Sequence, residues 1–488
     1  MSFNERLENP ASRALAGRLP VLFRDRIFTG YGSFLLTFTA IAAASYSYLV
    51  GAALIGVGST RLGIVGYLIG LVLGMSFVSL AGGAISYRYG VDTVDAGKPS
   101  LGMRGSVTLL LGVLVCTLGW ANVLLAMTAR GVVRILHADS LNGGASHEAE
   151  VICVGVALVV LLWLLVRRGA GWMERVANYC AVAQLTVAAV LFASILHKYG
   201  LMKVWSINVA PAQAYSSDRM LQLTYAVEFG LCNSLGMLPY MGGLARLVRR
   251  STHLVGPSVL GYSVCGAFFI AVIGALATAA TGKMDPADWL TRVVGLRGGT
   301  LLLSIMLIAN VGALIAQIYL ASISIQQFRT FAQLPWSLVV ALVLAPSVVV
   351  AFNTHWIIDH VMNWLAYNGV MFIGLGSVMF VDFFLLRRGR VIAAQLFAAQ
   401  NGQMYWYRGG VNWIAIGVVV GATAMYLWLF DPMSLRVALW FRYAGASIPT
   451  ALVSAAVYFV LMRWLVVERL AEGGGVSEPF APTVEVKL

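Results

Sequence analysis

Glu228 asks the most of its surroundings. It lies in an apolar run, with Tyr225-Ala226-Val227 before it and Phe229 after. An acid at the centre of a membrane helix costs about 2.5–3.5 kcal/mol on insertion scales, so it normally faces a cavity or a partner. Glu228 is therefore a candidate for proton carriage or for pairing with an amino-bearing ligand. The plainer reading is a carboxylate near an outer mouth, hydrated or paired with Arg219. Trp120, in Leu118-Gly119-Trp120-Ala121-Asn122, sits mid-way along another apolar stretch. An indole beside Gly can present a flat face to a planar ring, and Asn122 can add a hydrogen bond. Lipid contact or core packing would explain the same Trp. Gln317 is an amide at apolar depth, suited to reading a heterocycle edge or to joining two helices.

Other polar clusters carry less. His355-Trp356-Ile357-Ile358-Asp359-His360 has no nearby Cys or Glu to complete a metal shell, and its Trp suits a membrane interface. His147-Glu148-Ala149-Glu150 reads as a plain outer loop. There is no GxxxxGK[ST] motif for ATP. Cys116, Cys153, Cys180, Cys232 and Cys265 lack CxxC spacing and read as packing residues. No cofactor and no metal site is expected.

The elements that must position these residues are helices crossing a membrane. About a dozen apolar stretches of roughly twenty residues fill the chain, and that length spans a hydrocarbon core about 30 Å thick. Among the 488 residues, 60% are hydrophobic and 11% charged, with a mean hydropathy of +0.83. The expected spans are about 31–56, 62–87, 105–135, 149–167, 174–197, 220–247, 254–280, 299–325, 335–353, 362–386, 411–430 and 445–467. A cytoplasmic arm, 1–30, precedes a transmembrane domain, 31–470, and the tail 471–488 reads as disordered.

A net charge of +13 suggests nucleic acid, and its layout rejects that partner. About 22 of the Lys and Arg fall on the side of the N-terminus and about 11 on the other, which is the positive-inside pattern. Both termini are thus expected in the cytoplasm, and the expected surroundings are a lipid bilayer with no obligatory protein partner.

Spans one and six are unusual. The first carries Ala42-Ala43-Ala44-Ser45-Tyr46-Ser47, then Gly51. The sixth carries Gly230, Asn233, Gly236, Pro239, Gly242 and Gly243. Pro removes a backbone donor and Gly weakens a helix by about 1 kcal/mol. Freed backbone groups at membrane depth are tolerated where they line a cavity. Breaks at matching positions of two five-span halves point to an inverted-repeat transporter, with repeats at about 31–197 and 220–386 and extra helices at about 411–467. Ala43, Ala44, Ser45, Gly230 and Gly236 are the expected unwound residues. Pro kinks and small-residue packing are the alternative.

Several local sequences resemble the nucleobase–cation symporter-1 family. They are Tyr89-Gly90-Val91-Asp92 with Ser100-Leu101-Gly102-Met103-Arg104-Gly105-Ser106, Leu238-Pro239-Tyr240 through Arg246, Val381-Asp382-Phe383-Phe384-Leu385-Leu386-Arg387-Arg388-Gly389-Arg390, and Tyr405-Trp406-Tyr407-Arg408-Gly409-Gly410-Val411-Asn412-Trp413. The resemblance implies an all-α polytopic membrane protein of LeuT type, a 5+5 inverted repeat with two additional helices, twelve in all. It implies uptake of a nucleobase or related nitrogen heterocycle, coupled to sodium or protons. By position, Trp120 matches the aromatic that stacks on substrate, Gln317 a pocket-facing amide, and Asn233 and Ser234 the unwound part of span six.

Two departures stand out. Gly243 replaces an Asp, which implies a lost charge contact at the end of span six. Gly312-Ala313 stand where sodium-coupled members offer hydroxyls, so a sodium site of the family type is not expected, and Glu228 becomes the leading coupling carboxylate. The expected function is a symporter in the cytoplasmic membrane and not an enzyme. Its expected substrate-binding residues are Trp120, Asn122, Glu228, Asn233, Ser234, Gln317 and Ser45. An amine or amino-acid carrier, a membrane-embedded transferase and a channel are the rivals.

Overall fold

The computed structural model describes residues 20–137, 147–200, 205–206, 215–328, 331, 333–397 and 404–464. The tail expected at 471–488 and most of the arm at 1–30 lie outside the described residues.

The chain begins with a broken helix, α1 (Tyr31–Ala42) and α2 (Tyr46–Leu54), bent by 66° at the break. There follow α3 (Thr60–Tyr89), the short buried helix α4 (Thr93–Leu101), α5 (Val107–Leu136), α6 (Glu148–Val166) and α7 (Ala170–Tyr199). The second half repeats this order. It has a broken helix, α8 (Arg219–Leu235) and α9 (Leu238–Ala245), then α10 (Ser251–Thr281), a surface helix α11 (Pro286–Val294) and α12 (Leu296–Ile325). It continues with α13 (Trp336–Val350), a short α14 (Thr354–Asp359) and α15 (Val361–Leu386). Two further apolar helices, α16 (Trp413–Leu429) and α17 (Ser447–Met462), close the described chain.

The two halves match in detail. The short helices α4 and α11 have nine residues each, and an Asp side chain caps each one. Asp92 accepts from Val94 N at 3.4 Å and Asp285 from Ala287 N at 2.9 Å. One-residue widenings of the helix (π-bulges) occur in α3 at Ser79–Gly83 and in α10 over Val259–Phe268. The main helix contacts are also reciprocal, with α8 against α3 and α2 against α10.

Glycine makes those contacts close. On α3, Gly66, Gly70 and Gly74 recur every fourth residue, and a Cβ on Gly70 would collide with the Val227 carbonyl of α8. Between α2 and α10, Gly51 faces the Ala271 carbonyl and Gly274 the Tyr48 carbonyl just as closely. Small residues that let backbones touch are a main source of helix association in lipid. This corrects the expectation for Gly230. It lies inside α8, not in the break, and its bare Cα presses on the Tyr67 carbonyl of α3.

Ala43, Ala44 and Ser45 do form the first break. The carbonyls freed there are satisfied locally: Tyr46 Oη donates to Ile41 O, and Ser47 Oγ donates to Ala42 O at 2.6 Å. The second break falls at Gly236-Met237. Pro239 occupies the first turn of α9, where its missing N–H costs nothing.

Candidate functional site

The two breaks meet α5 and α12 around a small cavity. Its walls are Ile41, Tyr46, Trp120, Asn233, Gly236, Met237, Tyr240, Tyr262 and Gln317, and its free volume is about 20 Å³. That is about the room one water needs, so a heterocycle must spread these side chains to enter. A larger open cleft of about 430 Å³, lined by Arg134, Lys283, Asp288, Thr291, Arg292 and Leu296, lies at the end of α5 beside α11 and is mostly charged.

Trp120 is placed by a π-bulge, Thr117–Ala121, inside α5. Such bulges are rare and cluster at functional sites. The neighbouring Gly119 admits Trp364 of α15 against the backbone. The Trp120 ring is buried, with its centroid 5.0 Å from that of Tyr46. Opposite, Thr117 Oγ1 and Tyr240 Oη lie 2.7 Å apart. Asn233 is held by two tyrosines: its Nδ2 donates to Tyr67 Oη at 2.5 Å, and Tyr262 Oη donates to its carbonyl at 3.1 Å. Gln317, from α12, is 3% exposed, and its Oε1 has no hydrogen-bond partner. A buried acceptor left open at a cavity wall is an anomaly that a bound N–H would resolve.

Trp120, Asn233, Gly236 and Gln317 thus come together. Four other expected residues do not join them. Asn122 donates to Leu118 O at 2.7 Å, within its own helix. Ser234 donates to Leu71 O at 2.9 Å, tying α8 to α3, and both it and Asn233 lie in regular helix before the break. Ser45 is engaged by Asn310 of α12: its N–H donates to Asn310 Oδ1 at 3.1 Å, and Asn310 Nδ2 donates to Ser45 Oγ at 2.8 Å and to Thr128 Oγ1 at 3.1 Å. Gly312 packs against Cys180, and Ala313 is fully buried.

The fourth is Glu228, and it changes role. It is 1% exposed and neither hydrated nor paired with Arg219. Tyr426 Oη of α16 donates to it at 2.8 Å, Ala446 N at 2.9 Å, and Ser447 N and Oγ at 3.1 and 2.5 Å. A helix start leaves its first N–H groups without partners. Glu228 supplies the acceptors for α17 from another helix, and its charge suits the positive end of the helix dipole. Gly445 makes the approach possible, with φ +69° and room for no Cβ beside Glu228 Oε2. Glu228 is an anchor for the last two helices and not a pocket residue.

The sequence reading missed Ile41, Tyr46, Met237, Tyr240, Tyr262 and Asn310. Tyr46 and Tyr240 adjoin the two breaks, which is the signal that could have found them. At Gly243 another acid is near. Asp92 approaches that position from the loop before α4. Its Oδ1 lies 3.2 Å from where a Gly243 Cβ would stand, and Ser324 Oγ donates to its Oδ2 at 3.0 Å.

Burial pushes the Asp92 carboxyl up to about 6, against the opposing pull of the Arg246 charge. A raised acid binds its proton more tightly when folded. Its stabilising contribution is full below the ordinary carboxyl range, about pH 4, and is lost as pH rises through the raised value. Asp92→Asn keeps the cap and removes the titration. Melting temperatures taken from pH 4 to pH 7 will show wild type losing ground to the variant as pH rises, whereas parallel curves would mean that Asp92 does not titrate there.

The loop motifs that carry the family resemblance form a single latch. Arg387 pairs with Asp382 at 2.6 Å and donates to Pro99 O at 2.9 Å. Tyr407 donates to the same carbonyl at 2.6 Å, Tyr458 of α17 donates to Asp382 at 3.1 Å, and Asn412 donates to Ser100 O at 2.7 Å. The end of α4 is thereby fixed to α15, α16 and α17. The side chains of His355 and Asp359 lie outside the described ones, and His360 stacks on the exposed Trp356.

Residues 63–443 match the family described as permeases for cytosine/purines, uracil, thiamine and allantoin. Among solved structures, the nucleobase-cation-symport-1 family transporter Mhp1, closed with bromovinylhydantoin bound, is similar with a TM-score of 0.74 at 16% identity, covering 94% of this chain and 96% of that one. The inward-facing conformation of Mhp1 has a TM-score of 0.74 at 17% identity, covering 92% and 93%. A Na+-coupled sialic acid symporter in a substrate-bound outward-open state has 0.59 at 11%, covering 94% and 93%. Among curated proteins no sequence matches. Identities this low carry only the fold, which is the LeuT-type inverted repeat. The sequence match carries the rest, and the chain belongs to the family of permeases for cytosine/purines, uracil, thiamine and allantoin.

Proposed function

We propose that the chain imports a nucleobase or related planar nitrogen heterocycle across the cytoplasmic membrane, by cation-coupled alternating access, through twelve spans with both termini inside. It binds and moves its substrate without chemical change. The observation that carries this reading is the open Gln317 Oε1 in a wall that also holds Trp120. A ring with an N–H on its edge would stack on the indole and donate to the amide. Asn233 and the hydroxyls of Tyr46, Tyr240 and Tyr262 are the remaining polar side chains of the wall. The bound molecule would be Mhp1's kind of ligand, a small heterocycle.

An amine or amino-acid substrate has less support. With Glu228 committed to α17, no carboxylate lines the cavity among the described residues. A family-type sodium site also has little support. The Ile41 and Ala42 carbonyls already accept the chain's own hydroxyls, Asn310 occupies Ser45, and Gly312-Ala313 offer no hydroxyl. Uptake should depend only weakly on sodium.

The test is counterflow in proteoliposomes loaded with unlabelled cytosine, uracil, purines, allantoin, hydantoin or hydroxymethylpyrimidine. A carrier exchanges labelled for unlabelled substrate, and a transferase or pore does not. Gln317→Leu leaves a substrate N–H unpaired at a cost of about 1–3 kcal/mol, so the ranking of substrates should change. Equal losses for every compound would return Gln317 to helix packing, and absence of exchange across the whole panel would remove the transport reading.

A further inference from the structure

The end of α5 and the start of α6 bring together three groups that no transport role uses. His137 Nε2 lies 2.7 Å from Glu150 Oε2, and His147 Nδ1 lies 3.1 Å from Glu150 Oε1. The two imidazoles stack with centroids 3.9 Å apart and planes 15° apart. Both rings therefore present a nitrogen to the same carboxylate. Their ligand atoms all fall within 4.8 Å of one another, and among the described residues no other set of three or more His, Cys, Asp or Glu converges in this way. All three side chains are about a third to a half exposed, so an ion from solution can reach them.

We propose that His137, His147 and Glu150 form a binding site for a divalent metal of the zinc type. Two neutral imidazoles and a carboxylate are a ligand set for Zn²⁺, which binds His nitrogen at about 2.0–2.1 Å and carboxylate oxygen at about 2.0–2.2 Å. Imidazole ligands select zinc and its transition-metal neighbours over Mg²⁺ and Ca²⁺, which prefer all-oxygen shells. The present spacings are hydrogen-bond lengths, so an ion would replace the bridging protons and draw the three groups round itself. Water would take a fourth position.

Arg134, one turn before His137, has a partner in Asp288 at 3.9 Å. A bound ion would tie the end of α5, the helix that carries Trp120, to the start of α6. The site does not depend on which heterocycle is carried, or on whether the chain is a carrier at all.

The experiment uses the purified full-length protein in detergent, stripped of metal, titrated with ZnCl2 or MgCl2 and followed by calorimetry and thermal melting. Zn²⁺ should bind with one-to-one stoichiometry and raise the melting temperature, and Mg²⁺ should do neither. Glu150→Gln should weaken zinc binding by at least about tenfold, and the double variant His137→Ala/His147→Ala should abolish it. The metal-free melting temperature and counterflow exchange of each variant should match wild type, since the groups are exposed and far from the cavity. No zinc binding to wild type, or equal binding to the double variant, would overturn the site.

Discussion

Glu228→Gln will unfold the end of the molecule before it touches transport chemistry. The substitution keeps the size of the side chain but turns one acceptor oxygen into a donor. That donor then faces the Ala446 and Ser447 N–H groups and two hydroxyls. Each buried donor left without an acceptor costs about 1–3 kcal/mol, so a loss of several kcal/mol is expected against a total stability of about 5–15 kcal/mol. Thermal melting in detergent should show a large fall, and hydrogen exchange should quicken first over Ser447–Met462. Exchange and gradient-driven accumulation should decline together, in proportion to the folded protein that remains. A well-folded variant that exchanges substrate but cannot accumulate it would restore Glu228 to a coupling role.

The second large effect belongs to Trp120. Its ring projects from the bulged turn of α5 against Tyr46, so Trp120→Ala should weaken substrate binding by about 1–3 kcal/mol, the range for a base on an aromatic platform. Trp120→Phe should recover part of that loss. The indole also fills space in the resting wall, so each variant's melting temperature must be read beside its affinity, taken from equilibrium binding of labelled substrate. Unchanged affinity in a folded Trp120→Ala protein would make this Trp a packing residue only.

The sequence made the class, the repeats and the first break legible because each rests on local rules. Apolar length, Gly and Pro placement and charge asymmetry are all short-range signals. Trp120 and Gln317 stand out in the sequence as a flat ring and an amide at apolar depth, which the family resemblance matches to pocket positions, and Asn233 stands out because it adjoins a break. Glu228 was misread because its partners, Tyr426 and Ser447, lie some two hundred residues further along. A costly buried acid signals that some partner exists without saying which. Gly230 failed in the same way, since a glycine that weakens a helix and a glycine that lets two helices touch look alike in sequence. Tyr262 reaches the cavity only through the fold, and the bulge that aims Trp120 is a feature of hydrogen bonding that composition does not encode.

The glycine seam between α3 and α8 carries a mechanical consequence. Where side chains interdigitate, helices can change neighbours by repacking rotamers. Gly66, Gly70, Gly74 and Gly230 have no side chains to repack, and the bare backbones meet turn against turn like the teeth of two racks. Neither helix can slide or roll without lifting clear of the other. The α2–α10 contact is toothed in the same manner at Gly51 and Gly274. Each of these pairs therefore moves as one unit, and rearrangement is left to its contacts with the other helices and to the unwound residues at 43–45 and 236–237.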